Sequence, residues 1–198
     1  IGRRRLNYYT GEKDAGRKRF VNSFPFTTFC IHGNHEMRPA DIPSYQAKET
    51  AAERFGMEGV PAHPFAKDGE IYRFGEQACI AAGGAYSVDK YYRLARGWAW
   101  FPNEQPSADI KAYVEQQLAE HGNQIDNVLS HTCPLKYEPT EVFLSGIDQS
   151  SVDKSTEEWL DRIEERIDYK AGTAVITNEK EIDKMQFMFQ NIDILKAK

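Results

Sequence analysis

Gly33-Asn34-His35-Glu36 is the densest group of chemistry-bearing side chains in the sequence, and it directly follows the run Phe26-Thr27-Thr28-Phe29-Cys30-Ile31. That run is rich in β-branched and aromatic residues, so it reads as a buried strand that stops in a tight turn. Gly33 permits the turn, while Asn34 and His35 present a neutral amide oxygen and an imidazole at the strand end. An amide oxygen can help ligate a hard or borderline divalent metal, and an imidazole can contact or protonate the leaving oxygen of a phosphate ester. A second histidine has the same setting: Asn127-Val128-Leu129-Ser130 reads as a strand, and His131-Thr132-Cys133-Pro134 follows it, with Pro134 blocking continuation. A lone His after a strand is more often a hydrogen-bonded structural residue than a ligand, so His131 gains weight from the paired motif.

Other chemistries fit less well. Cys30 and Cys133 contain no Cys-x-x-Cys pair between them, and Cys30 lies within an apolar run, where a free thiol behaves as a small hydrophobe. Ser130 lacks a Gly-x-Ser-x-Gly elbow, and neighbouring residues of an extended chain point apart. Lys90, Arg93, Arg96 and Tyr86 could line a phosphate pocket, although a polar loop is the plainer reading.

The elements that must position these groups alternate. Glu70–Phe74 and Gln77–Ala82, separated by Gly75-Glu76, read as a hairpin, ended by Gly83-Gly84. Met185–Phe189 and Asn191–Ile194 suggest further strands. A helix is expected from Ser107 or Asp109 to Glu120, with Ile110, Tyr113, Val114, Gln117 and Leu118 at helical spacing. Another starts at Ser155, where Ser155-Thr156-Glu157-Glu158 has the form of a capping box and Trp159, Ile163 and Ile167 recur every four residues. Asp14–Val21 and Glu49–Phe55 are weaker helices. Composition and alternation predict one α/β domain over 1–198, with functional residues in loops at strand ends.

A net charge of −5 provides no global positive field, which excludes bulk electrostatic attraction of nucleic acid but not nucleic acid as a substrate. Three widely spaced cysteines suit a reducing, cytoplasmic setting better than a disulfide framework. No run approaches the ~18 apolar residues of a membrane span, and Ile1-Gly2-Arg3-Arg4-Arg5 does not lead into a signal peptide, so no membrane association is expected.

Strand-Gly-Asn-His-Glu resembles the GNH(D/E) block of the calcineurin-like metallophosphoesterases, and Ser130-His131-Thr132-Cys133-Pro134 resembles that family's later block, a metal-binding His after a strand. Gly83–Lys90, Trp100–Pro106 and Asp148–Thr156 are similar to a bacterial or phage-associated branch, so the resemblance extends from Tyr8 to Ile194. It implies a four-layer αββα sandwich of two mixed sheets. It also implies two divalent metal ions of Mn, Fe, Zn or Ni type, with Asn34 and His131 as ligands and His35 as the catalytic group. The implied reaction is hydrolysis of a phosphate ester substrate, a phosphomonoester or phosphodiester, by a metal-activated water.

The family's Asp-x-His, Gly-Asp and Gly-His-x-His blocks are not present. Two ligands fall short of the three protein groups that usually hold a catalytic transition metal. Two accounts stay open: the natural molecule carries segments near 2–8 and 170–178 that this chain omits, which would break the backbone there, or the protein is a catalytically inactive scaffold that kept the fold and lost the metal site.

Overall fold

The computed structural model describes residues 12–25, 28–42, 65–140, 148–175, 180–183 and 185–188. Six strands form one mixed sheet: β1 (Ile71–Phe74), β2 (Gln77–Ala82), β3 (Gln124–Ser130), β4 (Asp168–Val175), β5 (Lys180–Ile182) and β6 (Met185–Met188), in the order β1-β2-β3-β4-β6-β5. β2, β3, β4 and β6 pair in parallel, and β1 and β5 close the two edges in antiparallel fashion. Among the described residues four α-helices accompany them: α1 (Glu12–Asn22), α2 (Lys90–Ala95), α3 (Ala108–Glu120) and α4 (Ser155–Glu164). The α/β expectation therefore holds, on a single mixed sheet among the described residues.

Local chemistry accounts for most element ends. The β1–β2 hairpin turns on Gly75-Glu76, where Gly75 takes φ +63°, the left-handed value needed at the first position of a two-residue loop. The side chain of Ser107 accepts from the Ile110 amide and caps α3. At α4 the expected capping box does not form. Asp153 accepts from the Ser155 amide instead, and the Ser155 and Thr156 hydroxyls both donate to Gln105.

α3 and α4 contribute Val114, Leu118, Trp159, Leu160 and Ile163 to a core completed by Ala78, Ile80 and Ala82 of β2 with Ile125 and Tyr169. Each large side chain buried this way is worth about 1.5–3 kcal/mol. Trp159 also satisfies its indole N–H on Glu115 at 3.0 Å. The alternate residues of β2, Cys79 and Ala81, are fully buried as well, so this strand is covered on both faces, as expected for a parallel sheet interior.

Two sequence expectations need correction or restriction. The run 26–31 is not a regular strand among its described residues: Cys30 makes one isolated parallel bridge to Phe65, supported by the Ala66 amide donating to the Cys30 carbonyl at 2.7 Å. Its apolar character reflects packing, as in the edge-to-face contacts of Phe29 with Tyr72 and Phe74, and not a ladder. Within 170–178, residues up to Val175 belong to the unbroken β4. Residues 2–8 and 176–178, the helix expected at 49–55 and the strand expected at 191–194 lie outside the described residues. Among the described residues no helix is long and apolar enough to cross a membrane.

Candidate functional site

Ala82 and Ser130 are Cα partners at the ends of parallel strands, so Gly83 and His131 leave the sheet side by side at its carboxyl edge. Across that edge runs the segment from Cys30 to Arg38. Its approach depends on two glycines. A side chain at Gly83 would meet the His32 carbonyl oxygen at 2.7 Å, and one at Gly84 (φ +91°) would meet the Glu104 carbonyl oxygen at 2.2 Å. With both positions bare, the Gly84 amide donates to the His32 carbonyl at 2.8 Å and locks the crossing in place.

A buried ion pair braces the same junction. Arg38 pairs with Asp68 and donates to the Asn103 carbonyl at 2.9 Å, while Asp68 accepts from the Gly83 amide at 2.6 Å. Burial pushes the Asp68 carboxyl up, opposed by the Arg38 charge and the Gly83 hydrogen bond. The turn itself is closed by Glu36, which accepts from the Gly33 amide at 2.8 Å.

On this frame Asn34 and His131 converge: Asn34 Oδ1 lies 3.1 Å from His131 Nε2. The amide orientation of Asn34 is fixed from the other side, where its Nδ2 donates to the Tyr86 carbonyl at 3.3 Å. Ser87 secures the backbone by donating to the Asn34 carbonyl at 2.7 Å. Desolvation first, and the neighbouring His35 second, lower the pKa of His131 to about 4, so its ring is neutral at physiological pH. A neutral imidazole can donate from Nε2 to Asn34 or, with its proton moved to Nδ1, offer the same nitrogen as a lone-pair ligand. Donors 3.1 Å apart match the spacing of adjacent ligands on one ion at bond lengths of about 2.0–2.2 Å. The donor pair thus fits one face of a divalent metal site. Among the described residues, no group of three His, Cys, Asp or Glu side chains gathers to complete it.

His35 points elsewhere. Its Nε2 lies 3.1 Å from Asp89 Oδ1, and Arg93 Nη1 stands 3.7 Å behind that carboxylate oxygen. Sequence reasoning gave no role to Asp89, because a pairing 54 residues long leaves no local signal. Arg93 is a correction. It does not line a phosphate pocket; it is fully buried, bonded to Glu104 at 3.0 Å, to Ser87 at 3.1 Å and to the Ala99 carbonyl at 2.9 Å.

His32, close enough to His131 to feel its charge, is 1% exposed. Neither ring nitrogen reaches a partner at hydrogen-bonding geometry, although the Asn103 carbonyl is near. Desolvation, the Arg38 charge and His131 together lower its pKa to about 2, so it is a neutral buried ring.

A concavity among the described residues lies away from this edge. A hollow of about 480 Å³ lined by Arg73, His121, Asp126, Asp168 and Lys170 lies at the opposite end of β3 and β4, where these strands begin. Strand direction and side-chain chemistry both favour the carboxyl edge as the reactive one. Comparison of the chain with protein-family models, with curated proteins and with solved structures returns no match.

Proposed function

We propose that this chain is a metal-dependent phosphoesterase of the calcineurin-like type, hydrolysing phosphomonoesters or phosphodiesters at the Asn34–His35–His131 edge. The observation that carries the reading is the 3.1 Å approach of Asn34 Oδ1 to His131 Nε2, two residues 97 positions apart, beside the His35–Asp89 pair. The same reading implies a second sheet facing the one described, and so the four-layer sandwich.

Asn34 and His131 would hold a divalent ion, with further ligands supplied by water or by residues outside those described. When bound, such ions polarise the ester and lower the pKa of a coordinated water toward ~7. The remaining work belongs to the chain. The low pKa of His131 keeps its ring neutral and able to ligate. Asp89 would accept from His35 Nε2–H and fix the ring, and Nδ1–H of the imidazolium form would be the group that hands a proton to the departing oxygen, leaving the neutral ring with its remaining proton on Nε2. Arg93, anchored by Glu104, keeps the Asp89 carboxylate in place.

The alternative is a non-catalytic scaffold. It is favoured by the stretch from Tyr169 to Lys180, which contains no histidine where the resemblance expects Gly-His-x-His. One experiment separates the two. The purified chain is dialysed against Mn²⁺, Zn²⁺ or Ni²⁺, its metal content is measured, and it is assayed on bis-p-nitrophenyl phosphate. An enzyme retains metal and turns over only when loaded. His35→Ala should depress turnover more than metal content, and His131→Ala should depress both. Equal metal loss in the two variants contradicts the division of roles, and a chain that holds no metal and shows no turnover is the scaffold.

A further inference from the structure

We infer that the exposed surface of α2 and the turn after it is a stacking platform for single-stranded nucleic acid, which delivers a backbone phosphodiester to the His35 edge. This names a substrate class for the proposed phosphoesterase and rests on that reading.

Six large hydrophobic side chains are exposed among the described residues: Phe20, Val88, Tyr91, Tyr92, Leu94 and Trp98. All but Phe20 fall between 88 and 98, on α2 and the turns that flank it, and exposed apolar side chains gathered on one short segment mark a binding surface where scattered ones would not. Tyr91 is 67% exposed, Tyr92 53% and Trp98 52%. The rings are held in a defined arrangement. Tyr92 and Trp98 meet edge to face at 5.7 Å and 86°. The turn that presents Trp98 is fixed by Gly97 at φ +65° and by the Trp98 amide donating to the carbonyl of buried Arg93 at 2.8 Å.

Cations are interleaved with the rings. The Arg96 guanidinium lies 5.1 Å from the Tyr92 ring, and Lys90 Nζ lies 4.2 Å from the Trp100 ring and 5.6 Å from that of Tyr91. Neither Lys90 nor Arg96 forms an ion pair among the described residues. In a chain of net charge −5, two cations beside exposed π-faces match a ligand made of flat bases and phosphates. An apolar protein face would leave both cations desolvated and unmatched. The patch is also continuous with the candidate site. Asp89, the residue preceding α2, contacts His35, and Tyr92 follows within one helical turn.

Binding is measured by fluorescence anisotropy with labelled oligothymidylate about twelve nucleotides long, within the site sizes of about 4–16 usual for such grooves. A matched abasic oligomer carries the same phosphates without bases. The buffer contains EDTA, so binding is read without turnover, and bis-p-nitrophenyl phosphate hydrolysis tests the phosphoesterase reading separately on a substrate without bases. Oligothymidylate should bind the wild-type chain at least about tenfold more tightly than the abasic oligomer, and Tyr92→Ala and Trp98→Ala should each weaken it about tenfold. Lys90→Gln and Arg96→Gln should each reduce the slope of log affinity against log salt by about 0.7. Equal affinity for the two oligomers, or no binding of either, overturns the proposal. So does a concentration-dependent dimer in sedimentation that Trp98→Ala dissolves, because the patch is then a contact between protein surfaces.

Discussion

Arg93→Met isolates the buried charge that supports the candidate site. The Arg93 side chain is 1% exposed and that of Glu104 is 4%. Methionine fills most of the arginine volume but leaves the Glu104 carboxylate buried without its cation. Breaking a buried pair from one side costs about 3–5 kcal/mol, a large share of the about 5–15 kcal/mol that holds a domain together. Replacing both partners, as Arg93→Met with Glu104→Gln, removes the stranded charge. The double variant should therefore recover at least about 2 kcal/mol relative to the sum of the singles. Urea unfolding followed by far-ultraviolet circular dichroism at pH 7 gives all four stabilities. Burial raises the Glu104 carboxyl above its ordinary value, opposed by Ser87 and Arg93. A raised folded-state pKa stabilises fully below the unfolded value of 4.5 and less as pH climbs through the folded value. Without Arg93 the carboxyl rises further, so the Arg93→Met deficit should shrink as pH falls from 7 toward 5. A single-variant loss under about 1 kcal/mol, or strict additivity in the cycle, would refute this account of the buried charge.

Two glycines that share a positive φ should differ in what an added methyl group costs. Gly84→Ala combines positive φ with backbone contact at 2.2 Å and should cost about 2–5 kcal/mol, whereas Gly75→Ala, with φ +63° and open space, should cost only about 1–2 kcal/mol; urea midpoints decide. Asp89→Asn keeps the size of the group beside His35 but removes its charge, and should lower turnover of the metal-loaded chain about tenfold or more while metal content stays at the wild-type level. His131 and His32, lowered to about 4 and about 2, are neutral in the folded chain and take up protons near 6.5 once unfolded. Stability is then present above pH 6.5 and lost as pH falls toward 4, by on the order of 2–3 kcal/mol for each histidine, and His32→Phe should flatten the profile measured by urea unfolding from pH 7 to 4.5.

Local signals carried the elements whose causes are local. The Gly75-Glu76 hairpin, the start of α3 and the strand ending at Ser130 all rest on residues a few positions apart; the hairpin and the strand end are where the sequence put them, and of the two helix starts it offered, Ser107 and Asp109, the structure takes Ser107 as the cap. The run 26–31 misled because apolar β-branched residues announce burial, while a strand also needs a partner ladder, and Cys30 finds only a single bridge. The capping box at Ser155 lost to Asp153, two residues upstream, which reaches the same amide. Asn34 and His131 were legible as separate motifs, and only the sheet register brings them to 3.1 Å. Asp89 was silent for the same reason, since its partner is 54 residues away. Arg93 read as a phosphate-pocket or polar-loop residue because nothing in its own segment shows that it is buried against Glu104.

The mixed sheet also dictates an order of assembly. Phe74 and Gln77 pair across a two-residue loop, a closure that takes about 1–10 μs, whereas β2 meets β3 only when Cys79 finds Asn127, 48 positions away. Chain closure over that span costs about 2–3 kcal/mol more than over the hairpin, and joining Asn34 to His131 spans 97. On loop closure alone the edge hairpin is expected to close before the parallel interior, and the reactive edge after both. During refolding the strand signal should then return before any property that depends on Asn34 meeting His131.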